Sequence, residues 1–323
     1  MALSAGVTAP PAGVDLRTEL AGLALEHPVL NGSGTFDAIA ALRVFGDGLR
    51  ERFPFSAFVS KTITVAPRGG NPAPRLWETP AGLINSIGLP NKGLEGFLEH
   101  DLPVLATLPV PLIVSVAGFS RDEFAALVDG VAGRPEVAAL ELNVSCPNVK
   151  SGCVIGTEVG EMAALMRRVR PLTAKPLIVK LTPNVAEAGP VARAAEEGGA
   201  DALSAINTLR ATAVDPRSGK PWLGAGSGGL SGPAVRAVAL AQVAEAAAAT
   251  TLPIVGMGGI QTGRDALDFI SVGASCVAVG TESFRDPAAG TRVKNELARE
   301  LQRVSLRSMR DATASFGRAA GRS

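Results

Sequence analysis

Along this chain, short runs of almost unbroken apolar residues alternate with longer stretches in which apolar residues recur every three or four positions. The short runs are PVLNGSG from Pro28, AFVSKTIT from Ala57, LIVSVAG from Leu112, ALELNVS from Ala139, PLIVKLTP from Pro176, ALSAINT from Ala202, PIVGMGG from Pro253 and CVAVGTES from Cys276. Each is too short for a helix, and a run that is apolar at nearly every position suits a parallel strand buried on both faces. The stretches between them, such as SRDEFAALVDGVAG, EVGEMAALMRRVR and PAVRAVALAQVAEAAAA, carry helical spacing. Eight βα repeats predict a (β/α)8 TIM barrel, a fold of about 250 residues that tolerates insertions. A doubly wound parallel sheet is the alternative that the same pattern leaves open.

Two departures from the repeat stand out. Ahead of the first run, VDLRTELAGLALEHPV reads as two short strands around Ala21 and Gly22, an N-terminal hairpin closing one mouth of the barrel. Two long insertions, APRGGNPAPRLWETPAGLINSIGLPNKGLEG after the second strand and LRATAVDPRSGKPWLGAGSGGLSG after the sixth, leave the C-terminal ends of their strands. Active sites of this fold lie at that face, so both insertions are candidate substrate covers. The whole chain, 1–323, reads as a single barrel domain.

The residues that end the strands converge on one pocket in such a barrel. They are Ser33, Lys61, Ser115, Asn143, Lys180, Asn207, Gly258 with Gly259, and Gly280 with Thr281. Lysines that end apolar strands are costly to bury unless an anion meets them, so Lys61 and Lys180 imply a negatively charged ligand. The glycines ending strands seven and eight fall where barrels commonly build a phosphate site from backbone N–H groups.

Composition removes other classes. A net charge of +1 with 19% charged residues carries no polyanion signature, which argues against nucleic acid or an anionic membrane as partner. No apolar run approaches membrane-spanning length, and the N-terminus lacks a basic-then-apolar signal pattern, so a cytoplasmic protein is expected. Three cysteines, Cys146, Cys153 and Cys276, form no CxxC pair and are too few to hold an iron-sulfur cluster. The two histidines, His27 and His100, have no ligand spacing, so no metal site or Ser-His-Asp hydrolase is expected.

Seven motifs in chain order, NSIGLPN, ELNVSCPN, VKLTPN, AINT, GGLSGP, IVGMGG and VAVGT, resemble the dihydroorotate dehydrogenase family, with SCPNVKSG and GNPAPRLWET most similar to its class 1B, NAD-linked catalytic subunits. The resemblance implies a barrel that holds FMN and oxidises dihydroorotate to orotate in pyrimidine biosynthesis. Carried over by position, it puts FMN against Ser33, Lys61, Thr62, Ser115, Asn143, Lys180, Ile206 and Gly232, with its phosphate on Gly258, Gly259, Gly280 and Thr281. The pyrimidine falls to Lys61, to Asn85, Ser86, Ile87, Gly88 and Leu89, and to Asn143, Asn148, Asn207 and Thr208. Cys146 matches the catalytic base. One position departs, because Ser115 stands where the related subunits carry asparagine; the shorter side chain implies fewer flavin contacts there, with flavin binding itself still expected.

The implied chemistry fits the residue types. The substrate loses a proton from C5 and a hydride from C6, so a base is needed opposite the flavin. A thiol near lysines and backbone dipoles can have its pKa lowered toward neutrality. Paired asparagines suit the alternating donors and acceptors of a pyrimidine edge. Lys180 would stabilise negative charge on the reduced flavin, and Lys61 would pair with the orotate carboxylate. Cys153 and Cys276 read as buried small hydrophobes. No G-x-G-x-x-G fingerprint opens a helix after the first strand, so this chain is not expected to bind NAD itself. The class 1B resemblance implies that electrons reach NAD through a partner subunit carrying FAD and an iron-sulfur cluster, around a homodimer of barrels. The sequence leaves open a fumarate-linked class 1A enzyme, a dihydropyrimidine dehydrogenase-like flavin subunit, a non-catalytic flavin-binding paralogue, and a Schiff-base aldolase using a strand-end lysine.

Overall fold

In the computed structural model, which describes residues 13–144 and 153–320, the eight runs form one parallel sheet that curls into a barrel. Its strands are β1 (Val29–Asn31), β2 (Phe58–Val59), β3 (Leu112–Val116), β4 (Val137–Asn143), β5 (Leu177–Lys180), β6 (Ala202–Ala205), β7 (Ile254–Met257) and β8 (Cys276–Val279). From β2 round to β8 each strand pairs in parallel with the next, and β8 pairs with β1. That order belongs to a barrel and not to a doubly wound sheet.

The remaining seam lies between β1 and β2, and a side chain closes it. Ser56 N–H donates to the Val29 carbonyl at 3.1 Å. Beyond it, the buried Asn31 accepts from Val59 N–H through Oδ1 at 2.9 Å and donates to the Val59 carbonyl through Nδ2 at 2.8 Å. The carboxamide therefore makes both contacts of a peptide group, which satisfies buried backbone that the short strands leave unpaired.

Inside the barrel, period-two alternation sorts residues by face. On β4, Leu140 and Leu142 join the shell packed under the helices, whereas Ala139 joins the inner core. The bottom of the interior is filled by Leu30, Val59, Ile113, Ala139, Ile178, Ala202, Val255 and Cys276. The expected hairpin, Thr18–Leu20 with Leu23–Leu25, pushes Leu20 and Leu25 into the same cluster. Its turn residues, Ala21 and Gly22, both have positive φ, the geometry of a tight two-residue hairpin. The outer helices begin at side-chain caps, as at Ser120, which accepts from Glu123 N–H, and at Thr262 with Asp265, a reciprocal capping box.

The two insertions differ from the loops expected of them. Leu76–Thr79 and Gly82–Asn85 come from the first, Leu209–Ala211 and Gly228–Ser231 follow β6, and together they form a four-stranded antiparallel sheet over the C-terminal mouth. Ile84, Ala213 and Leu223 form its small core, with Trp77 and Trp222 in edge contact at 5.1 Å. Its strands approach so closely that a Cβ on Gly82 would lie 2.1 Å from the Ser231 carbonyl oxygen, and one on Gly228 2.3 Å from that of Asn85. Glycine is needed there for approach, and the Gly-rich composition that permits the sheet also hides its strand pattern from the sequence.

Candidate active site

Between the barrel mouth and this cover lies a cavity of about 590 Å³. From the barrel it is lined by Ser33, Lys61, Thr62, Asn143, Lys180, Ile206, Asn207, Thr208, Gly258, Gly259, Gly280 and Thr281. From the cover it receives Asn85, Ile87, Gly88, Leu89 and Gly232. Ser86 and Ser115 are wholly buried and do not line it; Ser86 instead accepts from Asn71 Nδ2 at 3.0 Å. Cys146 and Asn148 lie outside the described residues.

The two strand-end lysines occupy different environments. Lys180 is buried, its Nζ donating to Ser33 Oγ at 2.8 Å and standing 3.8 Å from Glu141 Oε1. Lys61 is exposed at the rim, so the expected burial cost applies to Lys180 alone. Long aliphatic stems allow this, because a lysine can end a strand while carrying its ammonium out to solvent.

A chain of hydrogen bonds runs from Glu141 to the upper wall. Ser115 Oγ donates to Glu141 Oε1 at 3.0 Å and lies 2.9 Å from Thr62 Oγ1. Asn143 Nδ2 donates to Thr62 Oγ1 at 3.1 Å, and Asn207 Nδ2 donates to Asn143 Oδ1 at 3.2 Å. Asn207 Oδ1 then accepts from Thr208 N–H at 2.8 Å. The Asn85–Leu89 segment of the cover is anchored as well: Leu89 holds a left-handed φ of 53°, and its carbonyl accepts from Asn91 Nδ2 at 2.9 Å. Backbone strain of this kind persists where the surroundings over-determine it, as they do here.

Also lining the cavity, Gly258 and Gly259 follow β7 with φ of 137° and 76°, and Gly280 and Thr281 follow β8. A Cβ on Gly280 would meet nothing nearer than the Thr35 methyl at 3.7 Å, so this backbone faces the cavity unscreened. The neighbouring carboxylate of Glu282 is engaged by Arg292 at 2.8 Å and Arg285 at 3.1 Å, which lowers its opposition to an anionic ligand. A second cavity, about 740 Å³, lies outside Lys61 against the helix Ala38–Phe45. It gathers Phe36, Phe45, Phe58 and Phe97 and few of the strand-end polar groups, so the smaller cavity is the candidate site.

Comparison with known proteins decides the family. The model of the family described as dihydroorotate dehydrogenase matches residues 15–301. The chain belongs to the dihydroorotate dehydrogenase family. It is 46% identical over 309 residues to a protein of Desulforudis audaxviator, covering 94% of this chain and 97% of that one. It is 43% identical over 299 residues to a protein of Geobacter sp. strain M21, covering 91% and 96%, and 45% identical over 276 residues to one of Geobacillus kaustophilus, covering 84% and 86%. Each of the three is named as the catalytic subunit of dihydroorotate dehydrogenase B (NAD(+)).

This dihydroorotate dehydrogenase family member also places residues that the strand-end reading missed. Glu141 lies two residues before Asn143 on β4, one inner layer deeper, and Ser204 Oγ donates to its Oε2 at 3.0 Å. A carboxylate inside an otherwise apolar strand, in the same chain as a strand-end lysine, is the signal that marks it. Asn184, within the quoted VKLTPN, donates to the Thr208 carbonyl at 3.3 Å and accepts from Arg210 N–H at 2.8 Å, fixing the loop that carries Asn207 and Thr208. Cys276 is buried at the start of β8, and burial pushes its thiol up to about 12, as suits a packing residue. Cys153 opens the short helix Cys153–Thr157. Among the described residues, no group of three or more side chains could hold a metal ion, and no helix is long and apolar enough to cross a membrane.

Proposed function

We propose that this chain oxidises dihydroorotate to orotate as the catalytic subunit of an NAD-linked, class 1B dihydroorotate dehydrogenase, with FMN as its cofactor. The observation that carries the reading is the 590 Å³ cavity, lined by both the bare backbone of Gly280 and the buried Lys180. Those features fit a flavin mononucleotide, which needs an anion cradle for its phosphate and a cationic group near its ring. When bound, the flavin supplies a two-electron hydride acceptor.

The chain's own residues would do the rest. Gly258, Gly259, Gly280 and Thr281 would hold the phosphate, while Ser33, Thr62, Ile206 and Gly232 would flank the cofactor. Ser115 would contribute through Thr62, which it meets at 2.9 Å, because it does not line the cavity. Lys180 would stabilise negative charge developing on the ring. Asn143, Asn207 and Thr208 would orient the pyrimidine, with Asn148 and the Asn85–Leu89 segment completing its surroundings, and Lys61 at the rim would meet the carboxylate. Cys146, as thiolate, would take the proton from C5. Electrons would leave through a partner subunit with FAD and an iron-sulfur cluster, docked on a cytoplasmic homodimer of barrels.

The test is an absorption spectrum of the purified chain before and after anaerobic dihydroorotate. A flavin spectrum that bleaches supports the reading. Cys146→Ala should keep orotate binding and slow bleaching by about 10²–10⁴, the usual worth of a general base. A colourless protein, or normal bleaching in that variant, would refute the cofactor or the base respectively. NADH should form only with the partner present, and rapid turnover with fumarate alone would move the chain to class 1A.

A further inference from the structure

Glu141 has no part in the function described so far, yet it is 2% exposed and three groups converge on it. Ser115 donates to Oε1 and Ser204 to Oε2, both at 3.0 Å, and Lys180 Nζ stands 3.8 Å from Oε1. It does not line the cavity; it lies behind Lys180, which does. A buried carboxylate survives only when its charge is paired and its oxygens are hydrogen-bonded, and here the pairing comes from Lys180, which lines the candidate site, and the hydrogen bonds from Ser115 and Ser204 behind it.

Two consequences follow from its chemistry. The first is charge. Lys180 and Glu141 together carry no net charge, so the field that Lys180 projects into the cavity is weakened by a fixed negative group behind it. The second is direction. A carboxylate can only accept, so Ser115 must spend its proton on Glu141. Ser115 can then only accept from Thr62, whose hydroxyl therefore donates and can only accept from Asn143. Asn143 must accordingly present Nδ2 to Thr62 and turn Oδ1 toward Asn207, the arrangement observed at 3.1 and 3.2 Å. The carboxylate thus sets one end of the donor-to-acceptor order that runs through the Asn143 and Asn207 amides.

We propose that Glu141 is a positioning residue of this site, damping the charge of Lys180 on the cofactor side and setting the donor and acceptor polarity of Asn143 and Asn207 on the substrate side. This rests on the flavin reading above. In Glu141→Gln the volume is kept, the negative charge is removed, and the amide can donate to Ser115, which frees the chain of hydroxyls to reverse.

The experiment compares wild type and Glu141→Gln, both loaded with FMN. Equilibration with reference dyes gives the flavin midpoint potential, and absorbance titration gives orotate affinity. The reduced-to-oxidised ratio at a fixed potential should rise about tenfold in the variant, an upward shift of about 30 mV for a two-electron couple. Orotate should bind roughly tenfold more weakly, the loss of about one oriented hydrogen bond. A potential that stays or falls overturns the cofactor-side role, and unchanged orotate affinity overturns the substrate-side role. Where the glutamine variant fails to fold, Glu141→Asp, which withdraws the carboxylate from Lys180, should raise the potential by a smaller amount, and no rise refutes the charge argument. A wild-type chain that binds no flavin refutes the proposed function itself, a result separate from either of these.

Discussion

The two ends of the barrel are built by the same strands with the same alternation, and they hold opposite contents. At the bottom, Ile113, Ala139, Ile178 and Ala202 face inward, sealed by Leu20 and Leu25 of the hairpin. Two residues further along the same strands, the inward positions become Ser115, Glu141, Lys180 and Ser204, linked to one another by hydrogen bonds and an ion pair. One layer higher on β4 stands Asn143, which lines the cavity. Polarity therefore increases toward the C-terminal end along these four strands, β3 to β6, whereas β7 and β8 keep Met257 and Ala278 at their inner positions. The lower layer contributes stability by burial. The middle layer costs desolvation, and its pairing holds the residues of the top layer in place.

The sharpest way to break this contrast is to remove one charge from the middle layer. Lys180→Met should leave Glu141 buried and unpaired, destabilising the FMN-saturated protein by about 3–5 kcal/mol in urea unfolding and abolishing efficient flavin reduction. Replacing both partners, as Lys180→Met with Glu141→Leu, should recover most of that stability without restoring reduction. Recovery of both together would mean that the middle layer is structural only.

At the bottom the expected signature is reversed. Ile178→Ala should cost about 2–5 kcal/mol of stability by lost burial and residual cavity, while the rate of flavin reduction per folded molecule stays at the wild-type value. A fall in that rate comparable to the fall in stability would show that the two ends are mechanically coupled.

The smallest effect concerns pH. His27, at the bottom, is buried with Lys294 nearby, and burial pulls its pKa down from 6.5 to about 3, so it stays neutral in the folded chain. The unfolded chain takes up that proton first, so stability is complete above pH 6.5 and falls as the pH drops from there toward 3. At pH 5 the loss from this residue is about 2 kcal/mol. His27→Asn keeps an acceptor for Val29 N–H, which now donates to His27 Nδ1 at 3.3 Å, and should flatten the stability profile over that range. An unchanged acid slope would show that other groups set it.

Much of the barrel was legible because β strands buried on both faces leave an unmistakable apolar run, and eight of them fell in helical alternation. The hairpin was legible from its turn. The cover sheet was not, because GGLS and LWET are short and mixed in character, and their strand state comes from pairing with each other across the mouth. At the site, strand-end residues such as Lys180, Asn143 and Asn207 were legible from position, since the fold itself points them into one cavity. Glu141 was missed because it sits one layer below the end, where strand-end reading stops. Ser115 was found by position but faces sideways into the hydroxyl chain, a distinction that only packing makes.

The cover sheet also has a kinetic meaning. Asn85 and Gly229 meet although 144 positions apart in the chain, and Asn85 Nδ2 donates to the Gly229 carbonyl at 3.3 Å. Contacts this distant in sequence pay a loop-closure entropy that local βα pairing does not, so they form late. During synthesis, the strand that completes the roof, Gly228–Ser231, emerges only after six of the eight barrel strands have been made. Until then the nascent protein has walls and no ceiling, and the acquisition of an enclosed binding chamber is deferred to the last part of translation.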